Sequence, residues 1–576
     1  MGWNMKQWGR TPHEERWLYL LRWGIGVNAL VGVALFIARH GFDVDANEER
    51  LLRNGLVAVA NVFVFGYITQ LILRHDRWQY LRQNSIKYAL TFITLLDFLA
   101  RWDSQSFIFQ LFILVNIFRW IIKIVQFFAQ FNASPPRFIT ASFLLVILTG
   151  AALLMLPKST THGIAFIDAL FTITSAVCVT GLIVVDTATA FTTTGQLVVL
   201  TFIQIGGLGI MTITAFFSLY IGQKMSTKEK LLLGDMLATE RLAALGSVLK
   251  SVLLATFIIE TLGACLLYWA FLTQTVHPMS PEEAAYHALF HAISAFCNAG
   301  FSTFTENLLG YAEHMGINLT ICGLIILGGL GFGVIHNLYS QIGAKARRER
   351  ITIHTKLTMR VTIALLLAGT AGVFMLEYFN LFADFEGAHS LKTKIMAAFF
   401  QSVTCRTAGF NTIDIAKLQD VTLLICILMM FIGAGSGSTG GGIKVSTFGM
   451  LLATVWAFAR GRSRVELFRR TIPNLVLYQA IVVFSLYLGI TVVIWFLLML
   501  TPIGERPINL LFETVSALGT VGLSTGVTPK LTTVGKLLII ATMFLGRVGP
   551  FTLALAIGQR QHVESYRYPE ERVVIG

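Results

Sequence analysis

Charged residues are scarce in this chain. Asp, Glu, Lys and Arg make up 13% of its 576 residues, against roughly 25% in soluble domains. Hydrophobic residues make up 55%, and the mean hydropathy is +0.69. Such a composition excludes a soluble globular protein, because most of the sequence must face lipid or other helices. Apolar segments recur from Trp17 to Ile557, which predicts a multi-pass membrane protein.

Cysteine is rare as well, and its distribution excludes disulfide-stabilised and zinc-stabilised scaffolds. The six cysteines lie in or beside apolar segments, and none has the spacing of a disulfide framework or a metal site. The chain also lacks a cleavable signal at its polar, basic N-terminus, since the apolar segment that follows is full length and has no small-residue cleavage site. We therefore expect the N-terminal segment to stay attached.

The net charge of +13 is spread over separate loops, which argues against a nucleic-acid partner. Basic residues cluster in 224–241, 345–360, 460–470 and 560–572, whereas the loop at 40–54 is acidic. This distribution follows the positive-inside rule. It predicts a protein of the cytoplasmic membrane with both termini in the cytoplasm.

Four similar segments divide most of the chain into repeats. They read FTITSAVCVTGL at 171–182, FHAISAFCNAGF at 290–301, FFQSVTCRTAGF at 399–410 and FETVSALGTVGL at 512–523. In each, nine residues separate a phenylalanine from a glycine that Leu or Phe follows. Each apolar run is too short to cross a bilayer, which takes about 20 helical residues. Each unit therefore predicts a span, a short pore helix, an extended turn and a second span.

The predicted fold class is an all-α polytopic membrane protein whose four membrane–pore–membrane repeats form one pseudo-fourfold pore, preceded by four extra transmembrane helices. The extra helices are expected near 17–38, 55–73, 87–100 and 105–129. The spans before the pore helices are expected near 138–156, 248–272, 358–380 and 475–500, and those after them near 196–221, 317–340, 421–459 (interrupted) and 533–557. The expected domains are 1–130 for the extension, 131–225, 226–345 and 346–465 for three repeats, and 466–576 for the fourth repeat with a cytoplasmic tail.

The chemistry of the four turns points to a monovalent cation. Non-helical backbone is tolerated at membrane depth only where it is buried or lines a watery path. If the turns met on one axis, their carbonyls would replace an ion's hydration shell, and glycine would let them aim inward. The turns contain no acidic residue, which favours K⁺ or a close relative over a divalent ion. The predicted turn residues are Val179, Thr180, Gly181, Asn298, Ala299, Gly300, Thr407, Ala408, Gly409, Thr520, Val521 and Gly522. The carbonyls predicted to hold K⁺ are those of Thr180, Gly181, Asn298, Gly300, Thr407, Gly409, Thr520 and Gly522.

Residues 433–442, GAGSGSTGGG, interrupt the third repeat's second span. Their G-x-G-x-x-G pattern would bind a dinucleotide only in a soluble βαβ unit, for which there is no signal. The segment is then either a flexible break in a helix or a gate, and the gate is favoured because polar backbone at that depth must line the pore. The predicted gate residues are Gly433, Gly435, Ser436, Gly437, Ser438, Thr439, Gly440, Gly441, Gly442 and Arg547.

Other polar residues in the spans allow two interpretations each. Arg547 either ties helices together through backbone carbonyls or forms a charge barrier below the turns. Lys444 either adds to that barrier or extends to the cytoplasmic surface, which is favoured. Glu513 is expected to begin the fourth pore helix, and Glu260 and Glu377 to form interhelical hydrogen bonds. His287 and His291 are spaced i, i+4 but lack an acidic third ligand, so no metal site is expected there.

Over about residues 138–557, the four segments resemble those of the Trk/Ktr/HKT superfamily of potassium transporters. The resemblance implies filter glycines at Gly181, Gly300, Gly409 and Gly522, a gating loop at 433–442 and a barrier arginine at Arg547. Relatives with serine at the first glycine prefer sodium, so Gly181 implies a potassium-permeable filter. The resemblance also implies a homodimer on a cytosolic RCK-type ring of nucleotide-binding subunits. The basic loops would dock this ring or contact anionic membrane lipids.

The predicted function is potassium uptake through a channel-like filter, driven by the membrane potential, with K⁺ as transported ion and no cofactor. The alternative is a symporter that couples K⁺ to Na⁺ or H⁺. An enzyme or receptor is rejected, because the polar residues recur with the turns rather than converging on a catalytic face. In the extension, Asp97 falls in the third span and Arg119 and Lys123 fall in the fourth. Two basic residues are too few for a voltage sensor, so a structural or docking role is favoured.

Overall fold

The computed structural model describes residues 12–73, 77–83, 88–94, 112, 115–116, 135–209, 245–274, 278–342, 351–382, 391–462 and 464–549. Most of the third and fourth predicted N-terminal helices lie outside these residues, together with Asp97, Arg119 and Lys123. The basic segments 224–241, 345–350 and 560–572 also lie outside them.

A helical hairpin forms most of the described part of the N-terminal extension. Helix α1 spans Pro12–Gly41 and α2 spans Ala46–Ile72, with a short α3 at Arg77–Gln83. The backbone N–H of Asp45 donates to the Glu48 carboxylate (3.1 Å), which satisfies one free donor at the start of α2. Phe63 and Tyr67 of α2 pack with Ile25 of α1 in a small core of their own.

From residue 135 onward, the described residues run four times through a helix, a short helix and another helix. The first unit has α4 (Pro135–Leu154), α5 (Phe166–Val177), a helical turn α6 (Thr187–Ala190) and α7 (Thr193–Leu208). The second has α8 (Leu245–Thr273), α9 (Pro281–Cys297), α10 (Met315–Leu330) and α11 (Phe332–Ile342). The third has α12 (Ile353–Glu377), α13 (Leu391–Thr404), α14 (Asp420–Phe431) and α15 (Val445–Ala459). The fourth has α16 (Asn474–Met499), α17 (Pro507–Gly519) and α18 (Thr533–Val548), and a small hairpin of β1 (Glu466–Leu467) and β2 (Arg470–Thr471) precedes it.

Length and composition separate spanning helices from short ones. Within the described residues, five helical segments are long and apolar enough to cross a membrane: Trp23–Gly41, Ala46–Ile72, Ser251–Thr273, Ile353–Glu377 and Asn474–Met499. The short helices α5, α9, α13 and α17 contain 12 to 17 residues. The predicted all-α membrane fold is therefore confirmed.

The predicted span near 317–340 is wrong as a single helix. It consists of α10 and α11, which are bent by 97°. The bend lies at Gly331, whose φ is +96°, and the carbonyl oxygen of Ser436 lies 2.5 Å from where a Cβ would be. The N–H of Phe332 donates to Gly437 at 2.9 Å, so backbone of the third unit occupies the bend.

Aromatic side chains of the short helices form the core. Phe171, Phe290 and Phe512, which mark the repeats in the sequence, are fully buried. In the third unit Phe399 is only partly buried, and its neighbour Phe400 is buried. The position of Phe400 is buried in the other units too, as Thr172, His291 and Glu513, so the third short helix differs only in the partial exposure of Phe399.

Candidate functional site

The four glycine segments share one unusual backbone conformation. We call residues 178–181, 297–300, 406–409 and 519–522 turns 1 to 4. Each contains a non-glycine residue with positive φ two positions before a glycine with positive φ. The pairs are Val179 (56°) with Gly181 (94°), Asn298 (60°) with Gly300 (69°), Thr407 (75°) with Gly409 (77°) and Thr520 (51°) with Gly522 (91°). Positive φ is uncommon outside glycine and clusters at functional sites.

Hydroxyl groups of the short helices hold the turns. Ser175 accepts from the N–H of Gly181 (3.0 Å), and Ser516 accepts from that of Gly522 (3.1 Å). In turns 2 and 3 the hydroxyl donates instead to the carbonyl of the residue that follows the glycine. Ser294 donates to Phe301 (2.8 Å), and Thr404 donates to Phe410 (2.6 Å). The sequence interpretation missed these residues, although a serine six positions before the glycine recurs in three repeats.

The turns close into one ring, because each glycine lies against the next turn's backbone. A Cβ on any of these glycines would meet the carbonyl oxygen of the residue preceding the next glycine. The contacts run from Gly181 to Ala299 (2.5 Å), from Gly300 to Ala408 (2.7 Å), from Gly409 to Val521 (2.6 Å) and from Gly522 to Thr180. The structure thus brings all four predicted segments together. The carbonyls of Ala299, Ala408 and Val521 belong to this ring but were absent from the predicted carbonyl set.

A cavity of about 260 Å³ opens on one side of the ring. The four ring glycines form part of its wall, and Asp186 and Glu306 bring two carboxylates to its lining. Asp186 also caps α6 by accepting from the N–H of Ala188 (3.1 Å). The two carboxylates give this side of the ring a negative potential, which favours cations there.

The segments after turns 2 and 4 are fixed by side chains of the short helices. Glu513 lies in the middle of α17, not at its start as predicted, and it is fully buried. Its carboxylate accepts from the hydroxyls of Ser524 and Thr528 (2.8 Å) and from the N–H of Thr525 (3.1 Å). The carboxylate therefore holds the segment after turn 4 rather than the helix N-terminus.

His291 takes the corresponding position in turn 2's helix. Its Nε2 lies 3.0 Å from the Ser302 hydroxyl, and His287 Nδ1 lies 2.6 Å from the Thr303 hydroxyl. Both imidazoles thus hold the segment that follows the turn.

Loop 433–442 lies against the other side of the ring. A Cβ on Gly440 would overlap the Thr407 side chain, and one on Gly441 would overlap that of Thr520. The Thr439 hydroxyl donates to the carbonyl of Phe296 at 3.3 Å. The N–H of Gly433, the first loop residue, donates to the carbonyl of Ile443, which directly follows the loop (2.9 Å). The loop is thus a folded-back structure pressed directly on turns 3 and 4, and the predicted gate residues lie there together.

Arg547 connects this loop to the first unit. One guanidinium nitrogen donates to the carbonyl of Thr439 and the other to that of Gly206. Lys444 does not extend to the membrane surface as favoured from the sequence; its Nζ donates to Gly440 of the loop at 2.7 Å. Two cationic side chains thus bond to loop carbonyls below the ring.

A second repeated motif, missed in the sequence, lies at the C-terminal ends of α7, α10 and α18 and packs these helices on the short helices α5, α9 and α17. It reads IGGLG at 205–209, LGGLG at 327–331 and LGRVG at 545–549. A Cβ at its first glycine would overlap a carbonyl of the short helix: Gly206 on Val177, Gly328 on Phe296 and Gly546 on Leu518. Arg547 occupies the position of Gly207 and Gly329. The fourth unit therefore has a charged side chain where the first two units have a second glycine.

Buried acids elsewhere form the expected interhelical hydrogen bonds. Glu260 accepts from Gln204 Nε2 at 3.0 Å, which joins α8 to α7. Glu377 accepts from the N–H of Gln419 at 3.1 Å, which joins the end of α12 to the start of α14.

Ion pairs and hydrogen bonds join neighbouring units around the ring. They are Tyr286 to Gln196 (2.6 Å), Leu308 N–H to Asn411 (3.2 Å), Arg506 to Asp420 (3.0 Å) and Lys536 to Asp168 (2.5 Å). The last pair joins the fourth unit to the first and is the most enclosed of the ion pairs here, with exposed side-chain fractions of 16% and 19%.

We expect Asp168→Asn to lower the free energy of unfolding by about 2 kcal/mol, because Lys536 loses its partner in a largely buried place. The midpoint temperature of thermal unfolding, measured on purified protein in detergent, reports this loss. Glu505→Gln is the control, since its partner Lys530 is 63% exposed and such pairs contribute roughly 0–1 kcal/mol. Equal losses in both variants would contradict the closing role of the pair.

Residues 107–565 match the TrkH family, which is described as cation transport proteins. The chain belongs to this family. The match covers most of the chain, so the resemblance to the Trk/Ktr/HKT superfamily is confirmed. TrkH-family members are transporters, and this one is a multi-pass membrane protein rather than an enzyme.

Curated TrkH-family relatives are similar over nearly their full length. The chain is 40% identical to Ktr system potassium uptake protein B of Bacillus subtilis over 462 residues, which cover 79% of this chain and 98% of the relative. It is 36% identical to the potassium/sodium uptake protein NtpJ of Enterococcus hirae, with 77% and 97% covered. The crystal structure of the potassium transporter TrkH from Vibrio parahaemolyticus matches with a TM-score of 0.60 at 17% identity, covering 83% of this chain and 97% of that one. This last likeness shows the fold.

Proposed function

We propose that the protein carries K⁺ into the cell through the ring of turns 1 to 4, which acts as the selectivity filter. The observation that carries the proposal is the closed ring, in which each glycine packs on a carbonyl of the next turn. Backbone carbonyls can replace the hydration shell of a monovalent cation without any acidic side chain. The similarity to potassium uptake proteins of Bacillus subtilis and Vibrio alginolyticus supports K⁺ as the cargo.

The driving force in this proposal is the membrane potential. An inward-moving cation gains about 2.3 kcal/mol per 100 mV, so uptake requires no coupled reaction in this chain. NtpJ, however, is named a potassium/sodium uptake protein. Symport of K⁺ with Na⁺ or H⁺ is accordingly the alternative, and the experiment must distinguish it from conduction driven by the membrane potential.

Loop 433–442 is the proposed gate, and Arg547 its latch. The loop lies against turns 3 and 4 while Arg547 bonds it to the first unit. Opening requires the loop to leave the ring, which breaks these hydrogen bonds. Because the loop consists mostly of glycine and serine, it has little apolar surface to hold it in place once these hydrogen bonds are broken.

The proposed assembly is a homodimer in the cytoplasmic membrane, with both termini in the cytoplasm and an RCK-type regulatory ring on the cytoplasmic face. Two relatives are named as proteins of a Ktr system, and such a name supports the presence of further protein components. The basic residues Arg460, Arg462, Arg464, Arg469 and Arg470 follow α15, and most are exposed. They provide a surface for the ring or for anionic lipids. Residues 1–130 are proposed to form a structural or docking extension to the four repeats.

The test is cation flux into proteoliposomes with a negative interior potential. We expect uptake of K⁺ and Rb⁺ to exceed that of Na⁺, and to continue without Na⁺ or a proton gradient. Equal Na⁺ flux would contradict the filter. K⁺ entry only in the presence of Na⁺ or a proton gradient would replace conduction with symport.

A further inference from the structure

One turn of the ring carries a charge that the other three lack. Arg406 is the first residue of turn 3, where turns 1, 2 and 4 have Cys178, Cys297 and Gly519. Its side chain is only 7% exposed. Arginine keeps its proton in proteins, so this residue places a permanent positive charge next to the ring.

Arg406 has little to compensate that charge. Its Nη2 donates to the Thr362 hydroxyl at 3.4 Å, a long hydrogen bond, and its Nε has no partner within the described part of the chain. Among the same residues, no carboxylate lies within 4 Å of it. Ile325, Leu366 and Val403 help to line the cavity of about 10 Å³ beside it, which has room for one water molecule at most.

An uncompensated charge in such surroundings is poorly screened and acts over the length of a side chain. Thr407, the next residue, belongs to the ring, and its side chain contacts both Asn298 of turn 2 and the gating loop. Because Arg406 directly precedes Thr407 in turn 3, we expect its field to reach a cation in the ring. A neutral side chain could fill the same space and bond to Thr362, so packing alone does not require the charge.

We propose that Arg406 is a specificity-determining residue that makes the ring reject divalent cations. This inference rests on the ring being the ion filter. The energy of an ion in the field of Arg406 is its charge times the potential. A divalent ion is therefore disfavoured by the square of the factor that applies to a monovalent ion. Carbonyls bind a divalent ion of the size of K⁺ strongly, and the arginine offsets this.

The test compares Rb⁺ and Ba²⁺, whose sizes are close to that of K⁺, in proteoliposomes. If Arg406→Gln lowers the half-saturating Rb⁺ concentration about threefold, the inhibition constant of Ba²⁺ for Rb⁺ uptake should fall about ninefold. Arg406→Lys keeps the charge only while its ammonium stays protonated, so lowering the pH should bring both constants toward those of the unchanged protein. Lys392→Gln removes an exposed charge at the start of α13, the short helix that leads to turn 3, and should have no such effect, because solvent screens it.

The relation between the two shifts separates electrostatics from structure. Equal shifts for Rb⁺ and Ba²⁺, or no change in the Ba²⁺ constant, would overturn the proposal. If Arg406→Gln is not recovered from the membrane, an unchanged Ba²⁺-to-Rb⁺ ratio in Arg406→Met would overturn it, and a squared shift there would support it. The K⁺-to-Na⁺ ratio of the unchanged protein tests the filter itself, so failure of one proposal is distinguishable from failure of the other.

Discussion

Gly300→Ser is expected to lower K⁺ uptake about a hundredfold and to abolish discrimination against Na⁺. The φ of Gly300 is +69°, and its Cβ would lie 2.7 Å from the carbonyl oxygen of Ala408 and 2.8 Å from Cα of Gly409. Both atoms belong to the backbone of turn 3 and cannot move aside as a flexible side chain could. Backbone strain and overpacking each cost about 1–3 kcal/mol, and roughly 3 kcal/mol at the ring corresponds to this loss.

The measurement for Gly300→Ser is the initial rate of K⁺ and Na⁺ uptake per reconstituted protein. Gly526→Ser is the matched control, since Gly526 also has a positive φ (+86°) but no described atom lies within 4 Å of its Cβ position. We expect this control to transport K⁺ with unchanged selectivity. Selective K⁺ uptake by Gly300→Ser, or the same loss in both variants, would show that crowding in the ring does not set selectivity.

Arg547→Gln is expected to raise K⁺ flux about tenfold in the absence of any activating partner. The substitution removes two charge-assisted hydrogen bonds, to Thr439 of the loop and to Gly206 of α7. Each is worth about 1.5–3 kcal/mol, and a loss of only 1.4 kcal/mol from the closed state shifts its equilibrium tenfold. The charge that opposes cations below the ring disappears as well, so both effects act in the same direction.

Rates of K⁺ and Na⁺ uptake in proteoliposomes also measure the effect of Arg547→Gln. The ratio of the two rates should stay constant, because the arginine does not contact the ring glycines. Lys444→Gln serves for comparison, since among the described residues the Lys444 side chain bonds to Gly440 of the loop alone. We expect a smaller increase from it. A decrease in flux at constant protein amount for Arg547→Gln would mean that the arginine holds the conducting path together instead of latching a gate.

The spacing of phenylalanine and glycine in the sequence was enough to locate the four turns. Four copies of one pattern must adopt one backbone, and glycine marks where that backbone needs positive φ. The pattern could not indicate that Val179, Asn298, Thr407 and Thr520 also have positive φ, because local sequence disfavours this conformation. Tertiary contacts impose it.

Other errors have the same origin in contacts between distant segments. The bend at Gly331 depends on backbone of residues 436–437, about a hundred positions away. Glu513 looked like a residue of a helix start because the start at Pro507 could not be placed by periodicity within a short apolar run. Lys444 was expected at the surface because the sequence does not reveal that the carbonyl of Gly440 folds back toward it.

The contacts that close the ring have a consequence for biosynthesis. Gly522 packs on Thr180, and Lys536 pairs with Asp168 across 368 positions of sequence. A nascent chain that has inserted only the first three units therefore has three turns and no closed path. Such late, long-range contacts slow folding. If the ring is the filter, as proposed, a chain released early by the ribosome lacks a complete set of filter carbonyls.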